Sequence, residues 1–487
     1  VQDGDEVEEK IYDNHDEVYD YKLVDGEWQS IKNTQFIDII NPANKECVGS
    51  LSMGNEEHVN KAVHAAKKAF KTYAFSSKEE RLSLLDKILF FYKSRYEEFA
   101  EAITIEMGAP MFLSKEAQAF SGIEHFEAAI EALKTFDEIQ SCDGFDLYHE
   151  PIGVCGLITP WNWPINQIAC KVAPAIATGC TVILKPSEFA PLSAQLFAEI
   201  MDEAGTPKGV FNMVYGDGIN VGAPLSSHPD VDMVSFTGST QAGIAVAKSA
   251  ADTVKRISQE LGGKSPIILT EDCDLKEVLS KVAWLCMENT GQSCNAGTRL
   301  IVPSSIHDDV VISIKEIVDN YKVGNPLDEA TEIGPLANEN QYRKVKSLLE
   351  RASKEGLEPV CGGLRAMNQN KTGYFVPPTI FAGLKNDDLI AREEIFGPVL
   401  AVIPYETLEG AINIANDSLY GLSAYIYSGN NGVSSQLVKS IRAGMVHVNG
   451  APLSPHAPFG GYKQSGNGRE WGMSGLHEFY EIKAVMA

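Results

Sequence analysis

Ile152-Gly153-Val154-Cys155-Gly156-Leu157-Ile158 is a short apolar run of strand length, and four more strand-like segments follow it, at 181–184, 210–214, 233–236 and 256–261. A run with no polar residue on either face belongs to a strand buried on both sides, as happens when helices cover a parallel sheet. The intervening segments supply those helices, beginning near Pro164, Pro191, Ile219 and Thr240. The alternation predicts an α/β, Rossmann-like nucleotide-binding domain, in which ligands collect where the strands end.

Working outward toward the amino terminus, Phe136-Asp137-Glu138-Ile139-Gln140-Ser141-Cys142, Asp143-Gly144 and Phe145-Asp146-Leu147-Tyr148 read as a hairpin whose Asp-Gly pair supplies the positive φ angles of a primed turn. Residues 55–135 carry helical periodicity, a turn is expected at Asp25-Gly26, and acidic residues 1–20 read as a loosely held arm. Toward the carboxyl terminus a second α/β stretch runs from Pro266-Ile267-Ile268-Leu269 to Gly444-Met445-Val446-His447-Val448, and the tail through Phe479, Glu481 and Ile482 reads as a short strand. No internal repeat or long linker separates these parts.

Bulk properties exclude several function classes. With 487 residues the chain is long enough for two to four domains of about 100–200 residues each. A formal net charge of −25 repels phosphate backbones and anionic lipid, so neither nucleic acid nor a membrane surface is an expected partner. No apolar stretch approaches the 18 to 20 residues of a membrane span, and the acidic start does not read as a signal peptide. The nine cysteines are odd in number and scattered, with no Cys-x-x-Cys, which argues against a disulfide framework or zinc ribbon and for a reducing, cytoplasmic location.

The chemistry-bearing residues are individually unspecific. Cys294, in Asn289-Thr290-Gly291-Gln292-Ser293-Cys294-Asn295, sits on a loop between a helix expected at 275–287, capped by Asp274, and a strand at 299–302. Lone cysteines are more often inert small hydrophobes than nucleophiles. Glu260 ends a strand before Leu261-Gly262-Gly263-Lys264; such a carboxylate is ordinarily solvated, but in a closed cleft it would be poised as a general base. Asn162 follows a strand in Thr159-Pro160-Trp161-Asn162-Trp163-Pro164, where it either shapes a turn or donates to an oxyanion. Lys185-Pro186-Ser187-Glu188 follows another strand end, and Phe236-Thr237-Gly238-Ser239 joins strand to helix, where backbone N–H groups receive phosphate.

Taken together these motifs, with Glu394-Ile395-Phe396-Gly397-Pro398 and Pro458-Phe459-Gly460-Gly461-Tyr462-Lys463, stand in the order found in the aldehyde dehydrogenase superfamily, which the chain resembles over nearly its whole length. The resemblance implies the NAD(P)-dependent, non-acylating type, with Cys294 as nucleophile, Glu260 as base, and Asn162 with the Cys294 N–H as oxyanion hole. It also implies a cofactor site built from Ile158, Thr159, Pro160, Trp161, Lys185, Ser187, Glu188, Gly238, Ser239, Leu261, Glu394 and Phe396. No metal is expected, and the Glu188 carboxylate favours NAD over NADP by repelling a 2′-phosphate. The substrate entrance is expected to include Trp163, Asn166, Gln167, Ser293, Asn295, Leu453 and Phe459, which leans toward small or medium polar aldehydes.

The same resemblance divides the chain into an NAD-binding domain (1–130 and 150–262), a catalytic domain (263–463) and oligomerisation segments (131–149 and 464–487), with a homodimer or homotetramer expected. Three rivals remain on the residues. An acylating enzyme that passes the acyl group to coenzyme A can dispense with a base such as Glu260. A thiol hydrolase requires a histidine partner, and His447, His456 and His477 have no recognisable one. A non-catalytic role sits poorly with the intact residue set.

Overall fold

The computed structural model describes residues 18–19, 21–30, 35–367 and 372–486. Of the expected acidic arm, residues 1–17 and 20 lie outside the described residues. Val18–Tyr19 pairs in parallel with Cys47–Ser52, so this part of the arm is held by a strand partner.

Two sheets organise the molecule. The larger has eight strands, and its parallel centre runs in the order Arg256–Glu260, Met233–Thr237, Val154–Ile158, Thr181–Lys185, Phe211–Met213. All five lie where the apolar runs placed them, within two residues at each end, and the central strands are buried on both faces. Helices Pro164–Thr178, Pro191–Glu203 and Thr240–Ala250 begin at the expected residues; near Ile219 the chain instead enters a π-helical turn, Gly218–Gly222, before a short helix, Ala223–Ser227. The antiparallel pair Tyr21–Val24 and Glu27–Ser30 extends one edge through a turn with positive φ at both Asp25 and Gly26. Gly466–Asn467 closes the other edge.

The second sheet is wholly parallel, in the order Thr379–Phe381, Val399–Tyr405, Gly297–Pro303, Ser265–Leu269, Ser423–Tyr427, Met445–Val448. Helix Leu275–Met287 begins as expected, with Asp274 accepting from Lys276 N (3.0 Å). Four longer helices, Glu56–Tyr73, Lys78–Ser94, Tyr96–Met107 and Ala119–Thr135, account for the periodicity of residues 55–135. The first two start with a capping box, at Asn55 and Ser77, which satisfies N–H groups that a helix start otherwise leaves unpaired.

The hairpin Ile139–Cys142 and Phe145–Pro151 forms, and Tyr480–Met486 adds to it as the third strand of a separate antiparallel sheet. Its turn differs from the expectation in one respect. Only Gly144 (φ 82°) has positive φ, so Asp143 escapes the left-handed conformation that a side chain disfavours.

The end of the crossover between the two large sheets is anchored by Arg299, which is almost fully buried in the strand Gly297–Pro303 of the second sheet. Its Nε donates to Lys264 O (2.9 Å), and its terminal nitrogens donate to Ile414 O and Ala415 O (2.8 Å each) and to Asn386 Oδ1 (2.9 Å). Replacing Arg299 by Met strands three carbonyls in the interior, and a buried unpaired acceptor costs about 1–3 kcal/mol. Arg299→Met should therefore destabilise the fold by at least about 3 kcal/mol, read as a clearly lowered thermal midpoint; an unchanged midpoint would show that the crossing is held by something else.

Candidate active site

Four adjacent parallel strands, Arg256–Glu260, Met233–Thr237, Val154–Ile158 and Thr181–Lys185, end on one edge of the larger sheet. Chain order reverses between the second and third of these, and such a reversal opens a crevice for ligand. Residues expected to hold a cofactor gather along this edge: Ile158, Thr159, Pro160 and Trp161; Lys185, Ser187 and Glu188; Gly238 and Ser239; Leu261. Lys185 Nζ is buried, donating to Pro186 O (3.0 Å) and to Glu188 Oε2 (3.3 Å). Ser239 is the exposed N-cap of Thr240–Ala250, and Leu261 packs into the space left by Gly243.

The chain passes from the larger sheet to the second through Leu261-Gly262-Gly263-Lys264. The two glycines are required by what presses on them. A Cβ on Gly262 would lie 2.5 Å from Glu394 Oε2, and one on Gly263 would fall on Cys294 O. Gly263 N also donates to Glu394 Oε1 (2.9 Å). The crossover thus brings together three segments far apart in sequence: the strand carrying Glu260, the loop carrying Cys294 and the loop carrying Glu394.

Both loops are strained. Asn289, Thr290 and Gly291 are successively left-handed (φ 54°, 58° and 73°), as is Phe396 (φ 59°). For β-branched Thr290 and bulky Phe396 that conformation costs about 1–3 kcal/mol each. Gly291 lies so close to Gly397 O that no side chain fits between them. Gln341 Nε2 clamps the second loop by donating to Ile395 O (3.0 Å) and Phe396 O (2.7 Å), and the Phe396 ring meets Trp161 edge-on at 5.6 Å.

Asn162 is buried and held from two sides. Gln118 Nε2 (3.1 Å) and Asn289 Nδ2 (2.9 Å) donate to its backbone carbonyl, while its own amide donates to Gln292 O (3.0 Å). Neither Gln118 nor Gln341 stands out in the sequence. The former sits in a π-helical turn, Ser114–Gln118, and such turns redirect a side chain out of helical register.

Electrostatics at the crossing disfavour charge on both central groups. Glu260 is buried with neither oxygen hydrogen-bonded to protein. Burial, followed by the neighbouring Glu470, pushes its carboxyl well above the ordinary range, against the smaller pull of Lys171 and Arg469. Burial likewise raises the Cys294 thiol, assisted by Glu260 and Glu394 and opposed by the N–H groups of Asn295 and Cys294. Behind Glu260, Lys171 and Glu470 form a buried ion pair, with Lys171 also donating to Ser235 Oγ (3.1 Å).

Cys294 opens on a cavity of about 610 Å³. Trp163, Asn166, Gln167, Ser293, Asn295, Leu453 and Phe459 all line it, so every residue expected at the entrance is brought together. His125, Trp284, Glu288, Tyr425, His447 and Trp471 line it as well, and sequence reasoning did not find them. Asn162 and Glu260 are not part of the cavity wall. Among the described residues no cluster of His, Cys, Asp and Glu is arranged to hold a metal ion.

Residues 28–485 match the model of the aldehyde dehydrogenase family. The chain belongs to that family. It is 51% identical to a 3-succinoylsemialdehyde-pyridine dehydrogenase from a Pseudomonas species over 470 residues, which cover 96% of this chain and 98% of the relative. Among solved structures, aldehyde dehydrogenase C of Pseudomonas syringae, a cysteine-to-alanine mutant complexed with NAD+ and octanal, superposes with a TM-score of 0.93 at 43% identity, covering 96% of both chains. An aldehyde dehydrogenase from Bartonella henselae gives 0.95 at 42% identity, covering 96% of this chain and 99% of that one.

In this aldehyde dehydrogenase burial thus disfavours both the Cys294 thiolate and the Glu260 carboxylate. Because the thiol is raised above its ordinary value, its reactive thiolate fraction should grow about tenfold per pH unit throughout the neutral and mildly alkaline range. Alkylation of Cys294 by iodoacetamide in the free enzyme, followed by peptide mass spectrometry between pH 6.5 and 9, should climb without a plateau. A plateau below pH 8 would mean a thiolate already formed at rest.

Proposed function

We propose that the enzyme oxidises an aldehyde to its carboxylic acid through a thioester on Cys294, with NAD as cofactor. The observation that carries this reading is the crowding of Cys294 and Glu394 about Gly262-Gly263, just beyond Glu260 and beside the cavity that Cys294 lines.

The crevice residues suit NAD. Thr159 Oγ1 and Thr237 Oγ1 are buried there without protein partners, as expected of polar atoms awaiting a ligand. Lys185 and Glu188 would hold the adenosine ribose, Gly238 and Ser239 a phosphate at the helix start, and Glu394 the nicotinamide ribose beside Phe396. Since Lys185 is already paired with Glu188, it offers little to offset repulsion of a 2′-phosphate, which favours NAD over NADP. When bound, NAD supplies the acceptor for the hydride that leaves the substrate carbon.

An aldehyde becomes a hydride donor only after addition makes its carbon tetrahedral. The Cys294 thiol gives up its proton to solvent, its sulfur adds to the carbonyl carbon, and the oxygen takes the electron pair of the C=O bond. Asn162, with its backbone clamped by Gln118 and Asn289, presents amide N–H to that oxygen together with the N–H of Cys294. Collapse of the adduct leaves a thioester. In its ionised form Glu260 then takes a proton from water as the water attacks, and returns it to the departing sulfur, releasing the acid and the thiol; its raised proton affinity suits a base. That base distinguishes hydrolysis from transfer to coenzyme A.

The exposed sheet of Tyr480–Met486, Phe145–Pro151 and Ile139–Cys142 leaves Ile139, Ile482 and Met486 open to solvent, and an uncovered edge of this kind is completed by a second subunit. A homodimer or homotetramer follows. All nine cysteines are free, in keeping with a reducing cytosol, and no helix among the described residues is long and apolar enough to cross a membrane.

Cys294→Ala should abolish NADH formation while leaving NAD affinity nearly unchanged, because the thiol meets the carbonyl carbon and not the cofactor phosphates. Glu260→Gln should retain a single-turnover burst of NADH and then stall, with coenzyme A failing to restore steady turnover. A Cys294→Ala enzyme that still turns over, or a Glu260→Gln enzyme without the burst, would overturn these roles.

A further inference from the structure

The cavity beside Cys294 is asymmetric in charge and in hydrogen bonding. Three of its aromatic donors are already committed to protein. Trp163 Nε1 donates to Ser293 Oγ (2.8 Å), Trp284 Nε1 to Glu288 Oε1 (3.3 Å), and the Tyr425 hydroxyl to Asn295 O (2.8 Å). Several acceptors are not committed. His447 Nδ1 lies 2.9 Å from Ala451 O, and since a carbonyl only accepts, Nδ1 carries the hydrogen. Nε2 of the neutral ring is then a lone-pair acceptor, buried and without a partner. The ring is fixed by stacking on Tyr425, 4.8 Å away. Gln167 Oε1 and His125 Nε2 are also buried and unpartnered.

Ionic groups on the wall lean the same way. Glu116, Glu124 and Glu288 face a single lysine among the lining residues, Lys281, which is engaged with Glu277 (3.4 Å), and no arginine lines the cavity. A carboxylate is held most strongly by a guanidinium, ammonium or imidazolium. Burial instead holds both imidazoles neutral, that of His447 below its ordinary range and that of His125 down to about 3. Burial also raises Glu288, an effect that a cation arriving beside it would reverse. Phe120, Trp163, Trp284 and Phe459 supply apolar and π surface on the wall of the same cavity.

We propose that the enzyme selects aldehydes whose far end carries a protonated amine and discriminates against aldehydes that end in a carboxylate. Glu288 and His447 are the residues that read that end. This deepens the reading of Cys294 as the nucleophile of an aldehyde oxidation and rests on it.

A series of near-isosteric probes separates charge from shape: 4-(dimethylaminomethyl)benzaldehyde, protonated at neutral pH, its neutral isostere 4-isobutylbenzaldehyde, and 4-formylphenylacetate as the anion. With full-length enzyme and NAD, kcat/KM should be about tenfold higher for the cation than for the neutral probe, and about tenfold lower for the anion. Glu288→Gln should reduce the cation-to-neutral ratio several-fold, which separates local recognition from the attraction of any cation to a protein of net charge −25. His447→Phe should do so to a smaller degree. If Glu288→Gln fails to fold, the three-probe series on the unaltered enzyme at low and high salt decides, because salt screens the pull of the net charge but far less a contact inside the cavity, so a preference abolished by salt overturns the proposal. An anion turned over as well as the cation, or a ratio surviving both substitutions, would overturn the proposal while leaving aldehyde oxidation intact. No NADH from any probe or from a broad aldehyde panel would overturn both.

Discussion

Everything at the site depends on the close approach, at Gly262-Gly263, of the crossover backbone, the Cys294 carbonyl and the Glu394 carboxyl. Four residues separate the end of a strand in one sheet, at Glu260, from the start of a strand in the other, at Ser265. Within them the chain must turn away from the first sheet, admit the Glu394 carboxyl on one side and accept the Cys294 carbonyl on the other. A methyl group on Gly262 would push away the Glu394 carboxyl, and one on Gly263 would push away the Cys294 loop. Arg299, reaching from the neighbouring strand to Lys264 O, holds the far end of the same crossing. The relative position of the two sheets and that of the reacting groups are therefore one constraint.

That packing has an electrostatic consequence. Bringing a thiol and two carboxyls together away from water penalises every ionised form, so desolvation outweighs the few favourable partners and raises Cys294, Glu260 and Glu394 alike. A free enzyme with a neutral thiol is sheltered from adventitious electrophiles and oxidants, which attack the thiolate. Such a site becomes competent when positive charge or new hydrogen-bond donors enter it. The orphaned Thr159 and Thr237 hydroxyls and the Glu260 oxygens mark where the folded chain leaves polar capacity unused.

Much of this was legible in the sequence, and the reason is periodicity. Buried parallel strands such as Val154–Ile158 and Thr181–Lys185 have no polar alternation, helices opening with Pro164 and Pro191 announce their starts, and consecutive glycines after Glu260 flag a close approach. Cys294 itself was legible only through the company of other motifs. The far wall of the cavity was not legible at all. His125 and Trp284 lie on helices, where a large residue on an inward stripe looks like core, and His447 alternates within a strand as any half-buried residue would. The Asp143-Gly144 turn illustrates a finer limit, since the dipeptide indicates where the chain reverses but not how many of its residues become left-handed.

The strained loops show why the remainder resists a local reading. Three successive left-handed residues at 289–291 and another at Phe396 are conformations that no local sequence of this kind would choose, since each non-glycine position costs about 1–3 kcal/mol. They persist because distant groups hold them. Gln341 clamps the Phe396 turn, Thr290 Oγ1 donates to Gly334 O (3.1 Å), and Gln292 is fixed at both ends of its amide, by Asn289 O and by Ala337 N. The side chain of Asn289, freed by its own unusual backbone, reaches Asn162 O, so the strain on the cysteine loop also orients Asn162. A relaxed loop would let Asn162 and Cys294 move independently. Held as it is, the loop makes their separation a property of the whole fold.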